Sequence, residues 1–501
     1  MAIALALLLL LPSCASIKPE PITTETVVKT SNADLQQIQA AVEPLNGPLS
    51  LEEALARAVK YNLVRQVKMM EEALAFGQRD VDRYDMLPKL VASAGYRDRD
   101  NDLITRSKDS VTGEPSLSHP YISSERSATT ADLAFTWSLL DFGQSYYAAK
   151  QSADRSLIAG ERRRKAMHLL IQDVRSAFWR AASAQKLHAT VLNTIAEAEI
   201  ALGEARQAEA ERLRSPLDSL RFQRQLLENL RLLENVNQEL SAARVELAAL
   251  VNLPLDKEYQ IAEPDQALAN RWLDIPVEKM EQQAIVGNAD LRESFYNVRI
   301  ASVEGRRGLL RLFPGLSFNY GMHHSDDSYL INKRWNDAGV QLSFNLLGLV
   351  SAPAQLNLAD VRQKLAEQQR LATLMGVLTQ VHLSRLQYAN AYQQFQRSDN
   401  LWQIDSRIAE HIAKREQVQT QTRQDRIANQ TSAILSELRR YQALAQFNAA
   451  AGKLQASLGL EPALSTRPDM PLSELTQAIG ESMRQWDEGK IFEAEPAPAA
   501  N

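Results

Sequence analysis

A single cysteine, few glycines and prolines, and few aromatic residues set the first limits on this 501-residue chain. The lone Cys14 excludes an intrachain disulfide and any cysteine-based metal site. Glycine and proline number 19 each. That excludes collagen-like and Pro/Gly-rich disordered chains, and glycine lies below its usual share of about 7%. Aromatic residues make up 6%, and so few turn formers and rings over such a length point to long helices. Charge of one sign is also lacking: 56 Lys and Arg stand against 61 Asp and Glu, a net −5. That balance is too mild for a polyanion-binding surface and excludes nucleic acid as a partner. No Gly-rich phosphate loop, nucleophile elbow or H-E-x-x-H sequence occurs. No catalytic constellation, metal site or cofactor is therefore expected, and the chain reads as a non-enzyme. By length it should hold roughly two to four domains or repeats.

Apolar runs are short. Ala2 to Leu11 is a run of ten, too few to span a bilayer as a helix but suited to the core of a signal peptide covering residues 1–13. Leu11-Pro12-Ser13-Cys14 resembles a bacterial lipoprotein lipobox. The resemblance implies cleavage before Cys14, a lipid anchor on its thiol and, with Ala15 rather than Asp following, delivery to the outer membrane. The alternative is an ordinary signal peptide with an incidental cysteine.

Self-similarity is the most informative feature. A helical pattern opens at Leu51-Glu52-Glu53-Ala54-Leu55, contains Asn62, and is followed by Pro88; another opens at Val277-Glu278-Lys279-Met280, contains Asn288, and is followed by Pro314. The spacings agree, since 88 − 51 and 314 − 277 are both 37. Further on, Phe135 to Leu140 matches Leu342 to Leu347, and Leu250 to Leu253 matches Ser457 to Leu460, both at an offset of 207. The earlier offset is 226, so the first copy carries 226 − 207 = 19 extra residues between its two short blocks.

Those blocks alternate with period two. Leu316, Phe318, Tyr320 and Met322 are interleaved with Ser317, Asn319, Gly321 and His323; Val340, Leu342, Phe344 and Leu346 with Gln341, Ser343 and Asn345; and Leu133, Phe135, Trp137 and Leu139 with polar or small residues. With Leu90 to Arg97 they predict four strands in two hairpins, each with one apolar face. The loop from about Arg99 to Thr129 takes up the 19-residue excess and reads as exposed. His323-His324-Ser325-Asp326-Asp327, the one cluster resembling metal ligands, reads as a solvated hairpin loop. Glu161-Arg162-Arg163-Arg164-Lys165 reads as a solvated face or as inter-helix ion pairs.

After each second strand comes a proline-free stretch, Gln144 to Arg214 and Ala354 to Gln421. Seventy helical residues would measure about 105 Å, which calls for coiled-coil packing against neighbours. Each stretch breaks at a matching place. Ser215-Pro216-Leu217-Asp218 and Thr422-Arg423-Gln424-Asp425 each set a hydroxyl at an N-cap and a carboxylate three residues on. A second helix then returns to about Leu250 or Leu458. The strands suit either a small soluble sheet or a transmembrane barrel, but four strands cannot close a barrel, and lipid tolerates no open edge.

The duplicated unit, with Asn62, Leu87-Pro88, Leu140-Asp141-Phe142-Gly143 and the Leu217-Asp218 turn, resembles the TolC-type outer-membrane efflux protein family from about residue 49 to 461. The resemblance implies a mainly α fold with a transmembrane β part. Three chains would share a 12-stranded barrel, four strands each, whose helices continue as a hollow coiled-coil tunnel through the periplasm. It also divides the chain into a lipidated linker (14–48), a first repeat (49–253), an equatorial connection (254–276), a second repeat (277–461) and a C-terminal equatorial segment with a tail (462–501). The implied function is the passive outer-membrane exit duct of a tripartite drug-efflux or type I secretion system. Its partners would be two further copies, outer-membrane lipid, a periplasmic adaptor and an energised inner-membrane transporter. The helix turns would form the periplasmic entrance, with Asp425, and less so Asp218, constricting it. Leu213, Arg214, Ser215, Pro216, Thr420, Gln421 and Thr422 would meet the adaptor. A competing class is a lipid-anchored periplasmic coiled-coil scaffold without channel activity. In the bland reading, Asp218 and Asp425 only complement helix dipoles, worth about 0.3–1 kcal/mol.

Overall fold

The computed structural model describes residues 20–106, 108–115, 120–211, 216–255, 257–262, 271–417, 423–462 and 470–488. A surface helix, α1 (Thr24–Ala40), precedes the repeats and buries none of its residues. The first repeat runs α2 (Leu51–Tyr61), α3 (Leu63–Asp82), β1 (Lys89–Asp98), β2 (Ile104–Thr105), β3 (Tyr121–Ile122), β4 (Ser127–Ser138), α4 (Leu139–Ala210) and α5 (Pro216–Leu250). The second runs α6 (Val277–Gly287), α7 (Ala289–Leu310), β5 (Gly315–Ser325), β6 (Arg334–Ser343), α8 (Gly348–Gln417) and α9 (Arg423–Ser457); α10 (Leu472–Asp487) follows. Among the described residues no helix is long and apolar enough to cross a membrane.

The duplication persists at the level of single hydrogen bonds. Asn62 accepts from the Arg65 amide at 3.0 Å and donates to the Leu250 carbonyl at 3.1 Å. Asn288 accepts from the Leu291 amide at 3.2 Å and donates to the Ser457 carbonyl at 3.3 Å. Each asparagine thus caps one helix and hooks the last turn of another, satisfying orphan groups at both ends. The sequence pattern runs through these asparagines as helix interior. In the structure they break it, because the side chain takes the N-cap position with an extended ψ of 121° or 125°. The returning helices close alike as well: the Leu253 amide donates to Ala248 and the Leu460 amide to Gln455, across Asn252 (φ 58°) and Gly459 (φ 71°). These are Schellman-type ends, with a left-handed residue closing the turn.

The four long strands form one antiparallel sheet in the order β1-β4-β5-β6, leaving β1 and β6 as open edges. The helices follow the same order. Above the middle of the molecule α4 packs on α3 and α7, and α7 on α8; below it α4 packs on α5 and α9, and α9 on α8. Outside its middle, each chain is therefore a wall one layer thick, with the sheet at one end and the ends of α4, α5, α8 and α9 at the other. Its free edges are α3 and α5 on one side and α8 on the other. At 72 and 70 residues, α4 and α8 each extend about 105 Å.

The largest apolar cluster lies at mid-height, where α2, α6 and α10 gather around the long helices. Leu55, Phe178, Leu247, Trp272, Met280, Tyr388, Leu454 and Trp486 are all almost fully buried there. Two smaller clusters continue toward the turns, around Leu187, Leu233 and Leu444, then around Leu226 and Ile427.

Several boundaries differ from the sequence expectation. The helix α4 starts at Leu139, five residues before Gln144, because Ser138 accepts from the Asp141 amide at 3.2 Å and caps it. Strand β6 covers Arg334–Ser343 rather than reaching Leu346. Its partner β5 begins at Gly315, directly after Pro314, which has no amide with which to extend the ladder. Phe344 therefore lies just past the strand. The Arg99–Thr129 loop is not featureless: β2 pairs with β3, and Arg126 holds Asp102 through two bonds of 2.6 and 2.9 Å.

Candidate functional site

The sheet presents two faces of opposite character. Register places Leu90, Phe135, Tyr320 and Ala338 in one row and Trp137, Phe318 and Val340 in another on the same face. Trp137 stacks on Phe318 with centroids 6.1 Å apart. The opposite face carries Ser93, Asp132, His323, Asp337 and Gln341. Both edge strands are exposed over all ten residues.

The free helix edges also carry apolar rows. On α3, Leu63, Val67, Met70, Leu74 and Val81 are exposed at alternating steps of four and three, with Gly77 completing the series. On α8, Leu358, Val361 and Leu365, and later Leu401, Ile404 and Ile408, repeat that spacing. These are a/d seams of a coiled coil without a partner helix among the described residues.

At the far end, Asp218 and Asp425 occupy the first turns of α5 and α9. Asp218 is exposed, 3.8 Å from Arg221, whereas Asp425 is half-buried and its carbonyl accepts from the Asn429 side chain. The two repeats are thus unequal here. Beside Asp425, Arg426 pairs with Glu197 of α4 at 2.7 Å and Glu416 of α8 at 2.6 Å, tying the start of α9 to both long helices. The sequence reading missed Arg426, since only the fold reveals that its partners lie on two other helices. Leu213, Arg214, Ser215, Thr420, Gln421 and Thr422 lie outside the described residues, as does Cys14; Pro216 opens α5.

Of the cluster read as a hairpin loop, the first three residues extend the strand, Ser325 closing it. His323 and His324 belong to β5, where the β4–β5–β6 ladder is still intact, and His323 meets Asp132 and Asp337 from the neighbouring strands. Among the described residues no three His, Cys, Asp or Glu side chains converge as metal ligands would. The Glu161–Lys165 run forms inter-helix ion pairs, Arg162 with Glu293, Arg163 with Glu72 and Lys165 with Asp290, and Arg164 pairs with Glu461 just past the end of α9, all at 2.6 to 2.8 Å. Buried within this network, His168 has its imidazole held below its ordinary pKa by burial, which outweighs the opposing Glu461.

Comparison with known proteins follows the same lines. The sequence model of the family described as Outer membrane efflux protein matches residues 64–253. No curated protein matches. The fold is shared with the Campylobacter jejuni CmeC outer membrane channel, at TM-score 0.64 and 12% identity over 86% of this chain and 89% of that one. A Pseudomonas aeruginosa membrane protein gives 0.63 at 16% identity over 82% and 90%. The open state of the Neisseria gonorrhoeae MtrE outer membrane channel gives 0.60 at 14% over 82% and 88%. The chain therefore resembles the outer-membrane efflux proteins in sequence over its first repeat and has the fold of outer-membrane channels over most of its length.

Proposed function

We propose that this chain is one third of a passive outer-membrane exit duct, the outermost part of a tripartite export system. One observation carries the reading: a wall whose sheet and helix layer are both open on both sides. A four-stranded sheet with one apolar and one polar face is a fragment of a barrel, and lipid tolerates no unpaired strand edge. The strands β1 and β6 run in opposite directions, so β6 of one copy can continue antiparallel into β1 of the next. The a/d seams on α3 and α8 lie on the same two edges and would be buried by the same association. Three copies give twelve helices per level; spaced about 9 Å apart, they enclose a lumen roughly 25 Å across. Energy and direction would come from an inner-membrane transporter, joined through a periplasmic adaptor at the helix turns (213–216 and 420–422). Asp425 from each copy would ring the entrance, attracting cations. A lipid on Cys14 would anchor the equator to the outer membrane. Purified protein should migrate as a heat-modifiable trimer and conduct in planar bilayers. A non-conducting monomer would instead fit the periplasmic scaffold.

A further inference from the structure

On the polar face of the sheet, three strands bring one imidazole between two carboxylates. Nδ1 of His323 (β5) lies 2.6 Å from Asp132 (β4), and its Nε2 lies 3.1 Å from Asp337 (β6). The ring stacks on Trp335 at 5.2 Å with an interplanar angle of 17°. It lies along its own strand over Gly321, where a Cβ would come within 2.4 Å of Nε2 and 2.8 Å of the Asp337 carboxylate. A glycine inside a strand weakens it and marks a close approach. Here the missing side chain is the space that the ring and Asp337 occupy. The cluster thus draws on four side chains from three strands and one glycine, whose bare backbone leaves the ring and Asp337 their present places. It sits two residues from the loop end of β5.

The chemistry follows from the donor inventory. A neutral imidazole has one N–H and can donate to only one of the two carboxylates; the imidazolium donates to both. The cluster therefore carries two negative charges with the neutral ring and one with the protonated ring. The other charged side chains on this face lie in other rows: Lys333, opposite Ser325, donates from Nζ to the Asp326 carbonyl at 3.1 Å, while Arg97 and Lys89 of β1 lie opposite Ala128 and Thr136. The same row of β1 offers Ser93, and Arg334 and His324 lie on the opposite face.

We propose that Asp132, His323 and Asp337 form a proton-sensitive determinant of ion selectivity, repeated in each copy near the outer end of the lumen. The inference rests on the trimeric-duct reading above, which places this face of the sheet inside the barrel. Raising the pH discharges the imidazole and exposes the carboxylate pair, so cation preference rises; acid lowers it.

The test is the reversal potential of the full-length protein in planar bilayers under a KCl gradient, at about pH 9 and about pH 5.5, either side of the ordinary imidazole value near 6.5. Wild type should show a weaker cation preference at the lower pH, and His323→Gln should lose that pH step while still conducting. Asp337→Asn changes an exposed group and does not threaten folding; it should shift the reversal potential toward zero at pH 9. If wild type conducts and His323→Gln keeps the full pH step, or Asp337→Asn leaves the pH 9 potential unmoved, this inference is wrong and the duct reading stands. If wild type forms no channel, the duct reading fails and this inference with it.

Discussion

Replacing Asn288 tests the hook that closes the second repeat. Its side chain, 5% exposed, does two jobs at once: it caps α7 through the Leu291 amide and donates to the Ser457 carbonyl at the end of α9. Loss of an N-cap costs about 1 kcal/mol. The Ser457 carbonyl would then be buried without a donor, at about 1–2 kcal/mol more. Asn288→Ala should therefore cost about 2–3 kcal/mol. Asn288→Ser keeps a capping hydroxyl but cannot reach the carbonyl, so it should cost only the second part. The equivalent series at Asn62, which hooks Leu250, should rank in the same order. Because unfolding of a detergent-held assembly need not be reversible, the readout is the apparent melting temperature by circular dichroism at one scan rate. The expected order at both sites is wild type, Ser, Ala. Equal melting of the Ser and Ala variants, or an order that differs between the two sites, would refute the dual role and the equivalence of the two hooks.

The remaining expectations are briefer. Gly459→Ala should abolish correct assembly, since its Cβ would sit 2.2 Å from the Gly287 backbone at a φ of 71°. Gly459→Asn should fail as well, although Asn252 tolerates the same left-handed backbone in the first repeat; heat-stable trimer on a gel reports both. For His168, burial keeps the folded-state pKa below its unfolded value of 6.5. Stability that is complete above that value is lost as pH falls through and below it, and His168→Gln should flatten a melting profile taken between about pH 7 and pH 5. At the entrance, Asp425→Ala should raise conductance or relieve block by divalent cations, whereas Asp218→Ala, already exposed beside Arg221, should do less. Indistinguishable effects of the two substitutions on conductance and block would remove Asp425 from the duct's entrance.

Much of this fold was legible because a duplication repeats every signal. The 226- and 207-residue offsets, the period-two strands and the proline-free stretches each appear twice, so one copy checks the other. What escaped the reading depends on contacts across the fold. Asn62 and Asn288 looked like helix interior because their carbonyl partners lie 188 and 169 residues away. His323 closes the period-two pattern of its strand yet also opens the polar run read as loop, and only register brings Asp132 and Asp337 to it. The ion-pair role of Arg162 to Lys165 was one of two options in the sequence, and long-range partners decided it. Arg426 carried no pattern at all: its charge is ordinary for a first helical turn, and its bridging role exists only once α4 and α8 converge on α9.

The central claim is that the open β1 and β6 edges are joined between copies. Cysteine scanning tests it most directly, since Cys14 is the only native cysteine. Pairs placed one on β1 (Val91, Ser93 or Gly95) and one on β6 (Asp337, Gly339 or Gln341) would be oxidised in native outer membranes and resolved on denaturing gels. The account predicts that at least one register yields covalent dimers and trimers, that single-cysteine controls do not, and that pairs on the central strands β4 and β5 give no inter-chain product. Monomer alone across every β1–β6 pair, in membranes where the protein is folded, would contradict it.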